Sequence, residues 1–191
     1  MEKKVIGIAI CDNGGNISFN KRIPIRLQPC IDYVKRTAKN SIIITTVDSY
    51  TEVMRVFSPK DIVTITRDNK KVVEGVKNFN TLEAAIKYVR EKSGSKAIIP
   101  IICGPTFNQY IIDEGFYDEF VKIRIDVDFG NENTQKLDID FSYYELLKQP
   151  EELYCSGYSY WYEVYDMTNK LDKPKVLHMN LEKLENLEIE D

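Results

Sequence analysis

The chain has 191 residues, of which 43% are hydrophobic, enough apolar material for one domain around one core. Its net charge of −4, with no Lys/Arg-rich stripe, excludes nucleic acid as the main partner, and no apolar run approaches the roughly 20 residues of a membrane helix. Four cysteines without CxxC spacing and a single histidine, His178 in the tail, exclude a zinc knuckle, a disulfide framework and a histidine-built catalytic or metal site.

The N-terminal MEKKVIGIAI sets basic residues before a short apolar run that lacks a small-residue cleavage site. It reads as a first strand, and the protein as cytosolic. Residues 5–11 are continuously apolar, as expected of a central strand buried on both faces. Asp12-Asn13-Gly14-Gly15-Asn16 stops that strand, and a loop is expected as far as Pro24. Helical spacing follows over 29–39, with Cys30, Val34 and Ala38 on one face and Asp32, Lys35, Arg36 and Lys39 mostly outward. Strands are expected at 41–47, 62–66 and 72–76, with a short helix at 49–57 and a turn at 67–70. Asn80 or Thr81 caps a helix whose buried stripe is Leu82, Ile86 and Val89, closed by Gly94.

The stretch 97–130 organises the rest. Ile98, Ile99, Ile101 and Ile102 make a buried strand that ends at the tight turn Cys103-Gly104-Pro105. Pro105 stands where a first helical residue would, its ring presetting φ. Phe107, Tyr110 and Ile111 keep helical spacing, Gly115 is placed as a left-handed cap, and a strand is expected over 120–129. Such a turn aims backbone N–H groups beyond the end of the first strand, a geometry that suits a phosphate or dinucleotide.

Strands alternate with helices up to residue 130, the pattern of a largely parallel sheet covered on both faces. Residues 157–166 then alternate Tyr158, Tyr160, Tyr162 and Val164 against Ser159, Trp161, Glu163 and Tyr165, an antiparallel strand at the far side of the sheet. Leu177, Leu181, Leu184 and Leu187 lie near helical spacing in the tail. That tail is either a terminal helix packed on its own domain or an acidic docking or homo-oligomerisation element. The expected division is a domain at 1–170 and an acidic extension at 171–191.

Together these elements resemble dihydrofolate reductase over nearly the whole chain. The resemblance is carried by Arg22-Ile23-Pro24-Ile25-Arg26-Leu27 before the first helix, Tyr33-Val34-Lys35-Arg36-Thr37 within it, and Ser49-Tyr50 opening the next helix. The strand 62–67, the Cys103-Gly104 turn and the closing Tyr160-Trp161-Tyr162-Glu163-Val164-Tyr165 carry it further. Gly104-Pro105-Thr106-Phe107 through Gly115-Phe116-Tyr117-Asp118-Glu119 also looks like the reductase domain of riboflavin biosynthesis. The resemblance implies a three-layer α/β/α fold with a mostly parallel mixed sheet and an antiparallel C-terminal strand. It also implies hydride transfer from NADPH to a pterin bound beside the first helix.

The site residues it implies are substrate contacts at Cys30, Val34 and Ile25, and cofactor contacts at Ser49, Thr66, Arg67, Cys103, Gly104, Pro105 and Thr106. No metal site is implied. The family's buried carboxylate falls on Cys30, and a thiol is a weak donor that offers no bidentate acceptor. Losing a charge-assisted pair of that kind costs roughly 3 kcal/mol or more of transition-state binding. Asp32 lies about 200° further around the helix and does not stand in for it. The family's Gly-Arg pair that meets phosphate falls on Thr46-Val47, the first Gly of its Gly-Gly turn on Cys103, its tryptophan on Ile25, and its tail-gripping arginine near Pro59. Thr66-Arg67 matches its contact to the ribose phosphate.

Cys11, Cys30 and Cys103 all map to the family's cleft, either as a soft-ligand or redox cluster or as small apolar fillers, and the second reading is preferred. Two functions follow. One is a reductase-like protein that has lost ordinary folate reduction and serves as a binding or interaction module with residual nucleotide binding. The alternative is a divergent NADPH-dependent reductase of dihydrofolate or another pterin-like or pyrimidine substrate. A working reductase needs an open cleft between the 103–105 turn and the Cys30 helix, whereas an interaction module has room to fill it with Ile25, Phe19 or Phe107.

Overall fold

Apolar residues at successive positions of one strand face two different cores, and this sets the layers of the molecule. The computed structural model describes residues 3–19, 27–66, 71–92, 98–130 and 134–172. In strand β1 (Lys4–Cys11), Val5, Ala9 and Cys11 belong to one buried cluster, while Ile6 and Ile8 belong to another. A continuous apolar run buried on both faces follows directly from that alternation.

After β1 come β2 (Asn16–Phe19), α1 (Gln28–Thr37), β3 (Ile43–Thr46), α2 (Tyr50–Met54), β4 (Ile62–Ile65) and β5 (Lys77–Phe79). The chain continues through α3 (Leu82–Lys92), β6 (Ile98–Ile101), α4 (Pro105–Asp113), β7 (Glu119–Ile125) and β8 (Thr134–Lys136). Strands β9 (Glu145–Lys148), β10 (Leu153–Cys155) and β11 (Tyr158–Asp166) close the fold. The main sheet has nine strands in the order β10-β11-β7-β1-β6-β3-β4-β5, with β9 also on β11, and β2 pairs β8 in a separate ribbon. Pairs among β7, β1, β6, β3, β4 and β5 are parallel, and β11 runs antiparallel to β7, β9 and β10. This is the mixed, mostly parallel α/β sheet expected from the element order.

One face packs on α3 and α4 through Leu82, Ala85, Ile86, Val89 and Ile111. The other packs on α1 through Cys30 and Val34, and on α2 through Val53. Gly7 marks the tightest approach within this framework. A Cβ there would sit 2.7 Å from Phe120 Cε2 and 2.8 Å from Tyr117 Cζ.

Helix signals read correctly in the main. Pro29 and Pro105 open α1 and α4, and Thr81 rather than Asn80 caps α3, its Oγ1 accepting from Ala84 N at 3.2 Å. Gly115 has φ of 67°, and Phe116 N reaches back to Ile111 O at 3.0 Å.

Three expectations are corrected. The 12–24 loop contains β2, paired with β8 more than a hundred residues on. The strand expected at 72–76 lies instead at Lys77–Phe79, because Gly75 turns the chain at φ of 75° and leaves Val72 57% exposed. The strand expected over 120–129 ends at Ile125, since residues 127–129 turn back to the Asp12 loop: Phe129 N donates to Asp12 Oδ2 at 2.9 Å, and Asn13 N to Val127 O at 3.2 Å. Gly94, the 67–70 turn and the helix expected in the tail lie outside the described residues.

Candidate functional site

Strand order alone locates a crevice. The chain leaves β1 toward β3 on one side, but leaves β6 through α4 toward β7 on the other, so the carboxyl ends of β1 and β6 form a topological switch point. A cleft of about 680 Å³ opens there. Its floor comes from Ile8, Ala9 and Ile10 of β1 and from Ile102, Cys103 and Gly104 just past β6. Val34 and Ile31 of α1 and Val53, Val56 and Phe57 in and after α2 form the apolar walls. Thr46, Asp48, Ser49, Glu52, Thr66, Lys71 and Gln135 supply the polar lining.

Two turns frame the polar end. After β3, Thr46 Oγ1 donates to Ser49 Oγ at 3.0 Å, and Ser49 N donates to Thr46 Oγ1 at 3.3 Å, fixing the 46–49 turn. After β6, Gly104 is the extended N-cap of α4 with no side-chain capping bond, and Asn108 N returns to Gly104 O at 3.1 Å. Pro105 has no N–H, so Thr106 and Phe107 carry the first donors, which have no acceptor within the helix. The two turns adjoin: a Cβ on Gly104 would be 3.8 Å from Ser49 Oγ.

The second turn is anchored from beneath. Asn108, fully buried, donates from Nδ2 to Cys103 O at 3.1 Å, and its Oδ1 accepts from Cys103 Sγ at 3.3 Å and Tyr117 OH at 2.5 Å. Burial pushes the Cys103 thiol up to about 12, so at neutral pH it is a neutral donor to that amide.

The residues named from sequence divide as follows. Ser49, Thr66, Cys103, Gly104, Pro105, Thr106 and Val34 all line this one cleft. Cys30 does not: it is fully buried in the core under α1 beside Val121, Ile123 and Tyr160, its thiol raised to about 12 by burial, and α1 presents Ile31 and Val34 to the cleft. Asp32 is exposed and accepts from Gln28 Nε2 at 2.8 Å. Arg67 and Ile25 lie outside the described residues, as does the side chain of Phe19. Phe107 is half-buried, lines the cleft and stacks on Tyr110 with centroids 5.7 Å apart. Cys11 and Cys103 share one core layer and Cys30 sits in the other, so the three thiols do not converge. Among the described residues no group of His, Cys, Asp or Glu is arranged to hold a metal ion, and no helix is long and apolar enough to cross a membrane.

Sequence reading missed Asp48, Glu52, Val53, Val56, Phe57, Lys71 and Gln135. The polar turn 46–49, directly after a buried strand, carried the same signal as the 103–105 turn and was available. Gln135 comes from β8, far along the chain, and nothing local announces it.

No protein-family model matches the chain, and no curated protein matches it. Among solved structures it is similar to the dihydrofolate reductase of Enterococcus faecalis complexed with NADP(H) and RAB-propyl. The identity is 20%, the TM-score 0.68, and the match covers 85% of this chain and 95% of that one. At this identity the likeness speaks for architecture, and the chain has the dihydrofolate reductase fold.

Proposed function

We propose that this protein binds a heteroaromatic small molecule, nucleotide- or pterin-like, in the 680 Å³ cleft and has lost ordinary folate reduction. The observation that carries the proposal is the wall formed by α1. Where pterin chemistry needs a carboxylate facing the cleft, α1 offers Ile31 and Val34, with Cys30 neutral in the core behind them. Neither an aliphatic wall nor a thiol that far above neutrality holds a proton at a reduced ring.

NADPH, when bound, supplies a hydride. Ser49, Thr66, Cys103, Gly104, Pro105 and Thr106, grouped at one end of the cleft, are the residues that would hold its heterocycle and ribose. The volume of the cleft supports a second reading, a divergent NADPH-dependent reductase whose substrate needs no protein acid. Both readings meet in one experiment. Purified protein is incubated with NADPH and dihydrofolate from pH 5 to 8, cofactor absorbance is followed, and heteroaromatic ligands are screened in parallel by thermal shift. The proposal expects ligand-dependent stabilisation without NADPH consumption. Steady turnover of dihydrofolate would overturn the loss of function, and no stabilisation by any ligand would overturn the binding.

A further inference from the structure

One buried side chain sets the orientation of the peptide between Cys103 and Gly104. That peptide is trans and planar, so the Cys103 C=O and the Gly104 N–H point in opposite directions. Asn108, fully buried on α4, donates from Nδ2 to the Cys103 carbonyl at 3.1 Å. Its Oδ1 accepts from Tyr117 OH at 2.5 Å and from Cys103 Sγ at 3.3 Å, so the amide turns over only by losing all of these bonds. Asn108 does not line the cleft, whereas Cys103, Gly104, Thr106 and Phe107 do. With the carbonyl drawn to the buried side, the Gly104 N–H is directed away from Asn108, and it has no hydrogen-bond partner among the described residues. Beyond its chain neighbours, a Cβ on Gly104 would meet only Ser49 Oγ within 4 Å, at 3.8 Å, so space is open there.

Resting on the proposed binding function, we infer that Asn108 is a positioning residue for the ligand. By holding the Cys103 carbonyl on the buried side it turns the Gly104 N–H into the cleft. There that group joins the N–H groups of Thr106 and Phe107, and together they take acceptor atoms of the bound molecule. Asn108 itself never touches the ligand. A peptide turned the other way would present an acceptor where a donor is needed, and acceptor facing acceptor costs binding rather than merely failing to add to it. A ring nitrogen, a carbonyl and a phosphate oxygen all satisfy these donors, because each is an acceptor.

The test combines amide exchange with calorimetric and NMR titration of the 15N-labelled intact chain, using NADPH and adenosine as probes. Asn108→Ala is compared with Glu163→Gln, which removes a buried interaction on β11 and leaves the turn and the cleft lining untouched. In the unaltered protein without ligand, the Gly104 amide is expected to exchange with water about a hundredfold faster than that of Asn108, which is bonded to Gly104 O. Asn108→Ala should weaken binding by about tenfold and abolish the Gly104 amide shift on titration. Glu163→Gln should hold affinity within about twofold despite its own loss of stability. Loss with both probes assigns the donors to the ring and sugar that the two share, and loss with NADPH alone assigns them to its phosphates or nicotinamide. A Gly104 amide as protected as that of Asn108 overturns the inference whether or not Asn108→Ala folds, and leaves the binding function intact. Unchanged affinity in Asn108→Ala, or an equal loss in Glu163→Gln, does the same. Failure of both probes to bind the unaltered protein overturns the inference together with the reading beneath it.

Discussion

Asn108 holds Cys103 twice, through Nδ2 to the carbonyl at 3.1 Å and through Oδ1 to the thiol at 3.3 Å, and both bonds are buried. The backbone that turns from β6 into the cleft is thereby fixed from the side opposite the cleft. Asn108→Ala leaves the Cys103 carbonyl buried without its amide donor and the Tyr117 hydroxyl with the Cys103 thiol in place of the amide oxygen, at a cost of about 3 kcal/mol. Urea unfolding at neutral pH measures it, and a loss below about 1 kcal/mol would show that the turn does not depend on the amide.

Glu163 is 6% exposed on β11 and accepts from Arg124 Nε at 3.1 Å and Tyr165 OH at 2.8 Å, with Lys122 Nζ at 3.0 Å. Burial pushes its carboxyl up, but Lys122, Tyr165 and Arg124 together outweigh burial and hold it below its ordinary 4.5. A lowered folded-state pKa means stability fully present above the unfolded value and lost as pH falls through the folded one. Stability should therefore fall below about pH 4.5, and Glu163→Gln should remove part of that fall. At neutral pH the same variant should cost roughly 1–3 kcal/mol, less than a fully buried pair because Lys122 and Arg124 reach solvent. Chemical unfolding of both proteins at pH 7 and pH 4 measures the two effects, and identical pH dependence would refute the role given to this carboxylate.

Burial raises the thiols of Cys11, Cys30 and Cys103 to about 12 each, while Cys155 is half-buried near the sheet edge. Because the thiolate is the reactive form, a disulfide reagent at pH 8 should modify Cys155 first and the other three only after unfolding. Mass spectrometry of digested protein assigns the sites. Rapid labelling of Cys103 in the folded protein would contradict its placement.

Gly7 has no room for a side chain against Phe120 and Tyr117. Gly7→Ala should cost roughly 1–3 kcal/mol by overpacking, and Phe120→Leu in the same chain should return part of it. A fully additive double mutant, read by thermal unfolding, would show that the two positions do not meet.

The central strand, the switch from parallel to antiparallel pairing and the 103–105 turn were legible because each rests on local chemistry: a β-branched run, an alternating run, a Gly-Pro stop. Strand β5 was not, because tertiary contacts override propensity there. Asn78, a poor strand former, accepts from Thr64 Oγ1 at 2.6 Å and Val73 N at 3.0 Å and donates to Val73 O and Val76 O, which pins the segment beside β4. In the site, spacing placed Cys30 and Val34 on one helix face but did not reveal that Cys30 points into the core while Val34 also reaches the cleft. The resemblance drew attention to Thr46-Val47 and away from Asp48, the charged residue of the same turn.

The most direct test of a ligand-binding cleft is to map binding on the backbone. Uniformly 15N-labelled protein is titrated with adenosine and with NADPH, and amide shifts are followed residue by residue. Saturable shifts are expected at residues 46–49 and 102–107, with the amides of Thr106 and Phe107 among the largest. Shifts confined to another surface, or none up to the solubility limit of either ligand, would contradict it.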